Sequence, residues 1–353
     1  MLSKQDSDVI KFLRFPLIIG ILFIHTIIIP FEDALNNGYY ILGNSEYIFS
    51  TIIPTFCVPL FFIFSGYLFF TNITRFTFKS YAKKLKGRIH SLLIPYLFWN
   101  AIVILYYLLI NYTTGSYENP LTYSISDFIN CFWSRFGGFP IAYQLWYIRD
   151  LMIMILLTPI FYILIKYLKY GAIVVILLSM IFKLGIPKIF PSFYFCIGAY
   201  LGITNKNISN ISKNLFYYCC FIAITSFVLL YTYEIKENPY IHILFVLSTS
   251  IVVIHCGNIY LARKSVFSDK IMKLSDDSFF IYVYHGFPIA ITCSIVVLII
   301  SKIFGSEYSL VTDVLFSIAF FIIPIIIAFL GIIIHRFLKH RFPKFTKIIS
   351  GGR

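Results

Sequence analysis

The stretch FLRFPLIIGILFIHTIII, Phe12 to Ile29, decides how this chain must fold. It is apolar over close to the roughly 20 residues a helix needs to cross a bilayer, yet it holds Arg14 and His25 with ten residues between them. At about 100° per residue, eleven positions come to about 20° beyond three full turns, so both side chains project from one helix face, with a rise of roughly 16 Å between them. An ionisable group facing lipid costs at least a few kcal/mol, ~2.5–3.5 for Arg on insertion scales, so this face turns toward the protein interior or a water-filled cavity. Such a pair reads by default as a functional site.

The rest of the chain agrees with that stretch. Of 353 residues, 59% are hydrophobic and 12% charged, and the mean hydropathy is +0.85; a soluble domain carries about 25% charged residues. The expected fold is all-α, a polytopic integral membrane protein. A net charge of +14 raises nucleic acid as a partner, but the basic residues sit between apolar runs and form no single face or tail, so membrane topology accounts for them and nucleic acid is not expected. Seven Cys residues (57, 131, 196, 219, 220, 256 and 293) show neither CxxC nor Cys/His metal spacing and mostly lie in apolar runs, where Cys behaves as a small hydrophobe. No disulfide framework and no metal are expected. The first apolar segment is longer than a signal h-region and lacks a small-residue cleavage site after it, so it is expected to remain as a helix.

Windows of spanning length read as about ten segments: 12–30, 48–71, 91–112, 145–168, 170–182, 189–204, 214–233, 240–262, 278–301 and 310–335. The fifth and sixth are short, either thin helices or a re-entrant pair around KLGIPK (Lys183 to Lys188), and either choice returns the chain to the same side. With both termini in the cytoplasm, 23 of the 29 Lys and Arg residues lie inside, including Arg75 to Arg88, Ala262 to Lys273 and the basic tail with His335 and His340. The opposite faces hold Arg135, Lys183, Lys188, Lys236 and Lys302, with nine of the fifteen acids, Glu32, Asp33, Glu46, Glu118 and Asp127 among them. That is the positive-inside bias expected for both termini in the cytoplasm, and the expected location is the plasma (inner) membrane. The whole chain, 1–353, reads as one transmembrane domain with no appended soluble domain. Neither a Walker A motif nor GxGxxG occurs, which removes the usual signature of an ATP-driven pump.

Several polar residues in apolar runs are candidates for chemistry. His25 has a bland reading, an imidazole bonded to a neighbouring helix, and Arg14 has one too, snorkelling to the inner headgroups; aligned, they fit a site that binds an anionic group from inside and moves a proton further out. Ser65 and Gly66 interrupt an aromatic run and read either as a close helix contact or as a border to an acyl chain or cofactor. Arg88 lies about two turns before Pro95, at a helix entrance where it can meet a phosphate also reached by Arg14. Trp146, Arg149 and Asp150 sit just inside the outer interface. Arg149 and Asp150 diverge by about 100°, so they are not expected to face one partner; they read as a structural ion pair toward another helix, or as contacts to an acceptor sugar on which Trp146 stacks. His285 lies beside Gly286 and Pro288, where the helix backbone is expected to loosen. His242 and His255 read as structural.

Taken in order, Arg14 with His25, FFIFSGY (Phe61–Tyr67), the basic entry RIHSLLIPYLFW (Arg88–Trp99), LWYIRDL (Leu145–Leu151), FYFCIGAYLG (Phe193–Gly202) and SFFIYVYHGFP (Ser278–Pro288) resemble the membrane-bound acyltransferase-3 family over nearly the whole chain. The resemblance implies about ten membrane helices and transfer of an acyl group, usually acetyl from cytoplasmic acetyl-CoA, to a cell-surface sugar. It implies His25 as the essential His and Arg14 as its partner in the motif. One departure stands out: many members carry two Arg residues three apart before the Pro of the third helix, and here Arg88 matches the first while Ser91 takes the second place.

The leading expectation is therefore a membrane O-acetyltransferase. Acetyl-CoA is its donor and a hydroxyl of a polymeric or lipid-linked glycan its acceptor, with membrane lipids around it. His25 would be the general base, Arg14, Arg88 and Ser65 the cofactor site, and Trp146, Arg149, Asp150 and His285 the acceptor site. Direct transfer and an acyl-enzyme relay both remain open. A transporter or flippase of a polyprenyl-linked glycan uses helices and buried charges equally well, and a sensor or assembly subunit would tolerate replacement of Arg14 and His25; neither accounts for the ordered motifs.

Overall fold

Ser3 opens the first helix, α1 (Lys4–His25), its hydroxyl accepting the Asp6 amide at 3.0 Å and so satisfying one of the donors a helix start leaves free. Pro16 within α1 deprives the Phe12 carbonyl of its helical donor, and the Ser275 hydroxyl reaches that oxygen at 3.5 Å. The helix ends at His25, where Thr26 turns to extended backbone. The computed structural model describes residues 2–352 apart from 72, 74, 75, 116–118, 136, 185–187, 233–237 and 306. Arg75, Glu118, Lys236 and the centre of the KLGIPK loop lie outside the described residues.

Eleven further helices frame the site: α2 (Tyr40–Phe70), α3 (Phe78–Thr114), α4 (Trp146–Leu156), α5 (Thr158–Leu168), α6 (Gly171–Ile181), α7 (Ile189–Ile203), α8 (Lys213–Tyr231), α9 (Pro239–Ala262), α10 (Ser278–Tyr284), α11 (Gly286–Phe304) and α12 (Leu310–Arg341). Every regular element among the described residues is helical. By length and composition, α2, α3, α8, α9, α11 and α12 are able to cross a membrane, and the bent pair α4–α5 brings the six to seven. Asp8, Lys11 and Arg14 keep α1 out of that count. The windows 170–182 and 189–204 form α6 and α7, of 11 and 15 residues.

Two windows read as single helices are broken, each beside a proline. In 145–168 the chain bends by 59° between α4 and α5. Pro159 removes the amide that would serve the Ile155 carbonyl, and the Thr158 hydroxyl donates to that oxygen at 2.7 Å. In 278–301 the break falls at His285, between α10 and α11, where Gly286 and Pro288 led to an expected loosening.

α1 occupies the centre, packed against α2, α9, α10, α11 and α12. Its entry is held by Asp6, fully buried, whose carboxylate accepts from the Tyr67 hydroxyl at 2.8 Å and from the Ser209 amide and hydroxyl at 2.9 and 2.6 Å. α2 and α7 meet backbone to backbone. A Cβ on Gly66 would strike the Phe195 carbonyl, one on Gly198 the Ile63 carbonyl, and one on Gly202 would lie 2.7 Å from the Tyr67 oxygen. Small residues at such crossings let helices approach without a hydrophobic driving force, so Gly66 is a helix contact. Replacing Gly198 by Ala is expected to cost about 1–3 kcal/mol through overpacking, read as a lower unfolding midpoint in detergent. Gly87→Ala, which meets open space, should leave that midpoint within measurement error or raise it.

Candidate active site

A cavity of about 610 Å³ lies between α1, α2, α3, α4, α10 and α12. α1 lines it with Lys11, Arg14, Ile18 and Ile21, α2 with Ser65, α3 with Arg88, α4 with Tyr147, α10 with Tyr282 and α12 with Lys339. The α1 positions advance by three or four residues, the spacing of one helix face, and His25 is the next position on that stripe. The cavity thus brings Arg14, Ser65 and Arg88 together and runs along α1 to one turn below His25.

Its charge is unbalanced. Lys11 is paired to Asp276 at 2.8 Å. Arg14 and Arg88, both half-buried, make no ion pair among the described residues, though Asp276 on the same lining attracts Arg14 electrostatically. Two guanidinium groups in a partly apolar cavity whose lining carboxylate, Asp276, is already bonded to Lys11 suit an anion presenting several oxygens, phosphate above all. Opposite them the Ser65 and Tyr147 hydroxyls share a hydrogen bond of 3.1 Å. Next to the cavity, Asp277 receives the His335 ring at 2.7 Å and the Arg336 guanidinium at 3.0 and 2.8 Å. Burial pushes the Asp277 carboxyl up, but these hydrogen bonds outweigh it and hold the group below its usual value. The network therefore contributes stability at neutral pH and loses it only as pH falls through that lowered value. His335, assigned to the basic tail by its sequence neighbours, is 1% exposed; the long α12 carries it into the protein.

At the far end of the stripe, His25 meets the rings of Tyr143 and His285, each with centroids 5.2 Å away. Neither His25 nitrogen makes a hydrogen bond among the described residues. The Tyr282 ring, which lines the cavity, lies 5.9 Å from His285, and its hydroxyl donates to the Gln144 carbonyl at 2.5 Å. A chain of rings thus joins the cavity to His25.

The remaining candidates sit apart. Trp146 is half-buried, while Arg149 and Asp150 are buried and bonded directly to each other, Nε to Oδ1 at 2.9 Å. The expected divergence on the helix shows in their outer partners, which differ, while the long Arg side chain folds back to form the structural ion pair with its neighbour. Arg149 also donates to the carbonyls of Trp133 and, at 2.6 Å, of Gly138, and Lys188 reaches Asp150 at 3.0 Å. These groups clamp the loop before α4 to the start of α7. His255 packs on Phe216 at 4.5 Å, in keeping with a structural role. Sequence reasoning passed over Lys11, Lys339, Tyr143, Tyr147 and Tyr282. Lys11 was open to it, three residues before Arg14 on the same face; Lys339 resembles any basic anchor, and the tyrosines are lost among 27 of their kind.

Membrane-length helices around an interior cavity define a polytopic membrane protein. The model of a family described as an acyltransferase domain, acyltransferase-3, matches residues 8–337, nearly the whole chain. The chain belongs to the acyltransferase-3 family and is a membrane acyltransferase. No curated protein and no solved structure matches it.

Removing Arg149 leaves a buried carboxylate and two loop carbonyls short of donors. Arg149→Ala is expected to cost about 3–5 kcal/mol, seen as a large drop in unfolding midpoint. An unchanged midpoint would remove the clamp as an explanation.

Proposed function

We propose that this chain is an O-acetyltransferase of the plasma membrane. It moves acetyl from cytoplasmic acetyl-CoA to a hydroxyl of a cell-surface polysaccharide or its lipid-linked precursor, through about ten membrane-embedded helical segments with both termini in the cytoplasm. The observation that carries the reading is the cavity that runs along α1 to one turn below His25, with Arg14 and Arg88 in its lining outside any ion pair among the described residues. Arg14 and Arg88 hold the phosphates of CoA, Ser65 borders its arm, and the arm extends along the Arg14–Ile18–Ile21 stripe so that the thioester comes level with His25. The acceptor enters from the opposite side, near Trp146 and the outer loop.

In the reaction the acceptor oxygen bonds to the thioester carbonyl carbon as His25 takes its proton. The C–S bond then breaks, the CoA sulfur leaves as thiolate and the proton returns to it. A neutral imidazole suits this task, since one of its ring nitrogens keeps a lone pair free to take the proton. Transfer by this route needs no acyl-enzyme, because both reactants reach His25. The direction of transfer follows from the positive-inside reading, which puts 23 of the 29 Lys and Arg residues, Arg14 and Arg88 among them, on the cytoplasmic side.

The test is CoA thiol release by membranes supplied with acetyl-CoA and the host's own glycan precursors. His25→Ala should lower kcat by about 10²–10⁴-fold at unchanged protein level, with acetate no longer appearing on the glycan. Arg14→Ala and Arg88→Ala should raise KM for acetyl-CoA far more than they lower kcat. Glycolipid movement without thioester consumption would replace transfer by transport.

A further inference from the structure

His285 sits at the break between α10 and α11, and its hydrogen bonds leave its ring one tautomer. Nδ1 lies 2.7 Å from the Tyr282 carbonyl and 3.3 Å from that of Ile281. A carbonyl only accepts, so Nδ1 carries the hydrogen. The ring is fully buried and no carboxylate is bonded to it, so a second proton would place an uncompensated charge in the interior. In the neutral ring Nε2 is then a lone-pair acceptor, and it is buried without a hydrogen-bond partner. A buried acceptor left unpaired is costly, so a donor is called for.

Three rings stand nearby. Tyr282 has its hydroxyl engaged on the Gln144 carbonyl at 2.5 Å and Tyr143 has its own on the Gly286 carbonyl at 3.3 Å. His25, in ring contact with His285, has no hydrogen bond at either nitrogen among the described residues. Beside His285, the Gln144 side chain occupies the space a Cβ at position 286 would need, and its amide donates to the Val283 carbonyl at 3.2 Å.

We propose that His285 is a positioning residue for His25. Its Nε2 accepts the His25 N–H and fixes the tautomer in which the other His25 nitrogen presents its lone pair to the acceptor hydroxyl. The proposal rests on the reading of His25 as the base and takes His285 out of the acceptor site. When His25 receives the hydroxyl proton, its second N–H remains on His285 Nε2, which shares the positive charge until the proton leaves with the CoA sulfur. His285 itself touches neither substrate.

Two substitutions separate this role from a structural one. His285→Asn keeps an amide donor near the Nδ1 position, and with it the bond to Tyr282, but loses the acceptor that faces His25. His285→Gln places an amide oxygen near the Nε2 position and gives up the bond to Tyr282. If His285 orients His25, His285→Asn lowers kcat at least about 100-fold with KM for acetyl-CoA unchanged, and His285→Gln stays within about tenfold of the parent. A structural ring would give the reverse order, and that order, or equal losses in both variants, overturns the proposal. His25→Ala measured alongside keeps the two ideas apart. Activity retained there sinks the reading of His25 as base, whereas an inactive His25→Ala beside a fully active His285→Asn sinks only the positioning role.

Discussion

An arginine and a histidine on one face of an apolar helix are tolerable in a membrane only if protein surrounds that helix, because lipid offers neither group a partner. The packing of the chain follows from this cost. α1 is enclosed by α2, α9, α10, α11 and α12, and its polar stripe faces the interior cavity and the ring cluster above it. Asp6, at the entry of the same helix, is fully buried yet satisfied by Tyr67 and Ser209. Such directed bonds fix the height at which the stripe enters the bundle.

With α1 in place, the two ends of the site acquire different chemistries. The end near Arg14 collects cations from three helices, with only Asp276 to balance them. The end near His25 is built of rings, with Tyr143 and His285 in contact. A helix is a stiff spacer, and the roughly 16 Å of rise between the two residues separates the cationic end from the ring cluster while keeping both on one face of α1. The broken segments serve the same end. Pro159 and the Gly286–Pro288 turn bend the chain where side chains must be delivered, and the backbone groups they free are met by Thr158 or left to local turns.

The helical class, the membrane setting and the shared face of Arg14 and His25 were legible in the sequence, since each rests on local composition or on helix periodicity alone. The grouping of Arg14, Ser65 and Arg88 was legible only through motif order. Arg149 and Asp150 were half legible: buried charge implied a partner, but side-chain length let the two pair with each other despite their angular separation. Lys339 and His335 read as tail anchors because the charges around them belong to the membrane surface. Their burial or access depends on where a 32-residue helix ends relative to α10, which no local pattern reports.

The sequence by itself determined that this chain is a bundle of apolar helices in a membrane with a polar face on its first helix. Hydropathy and the 3.6-residue period act over neighbouring residues and need no knowledge of the rest of the chain. Only the tertiary structure decided which residues share the cavity, that His285 lies against His25, and that Arg149 and Asp150 clamp a loop. Those outcomes depend on glycine-lined crossings and proline breaks that set helix positions to within an ångström, and contacts between residues more than a hundred positions apart are fixed by packing, not by pattern.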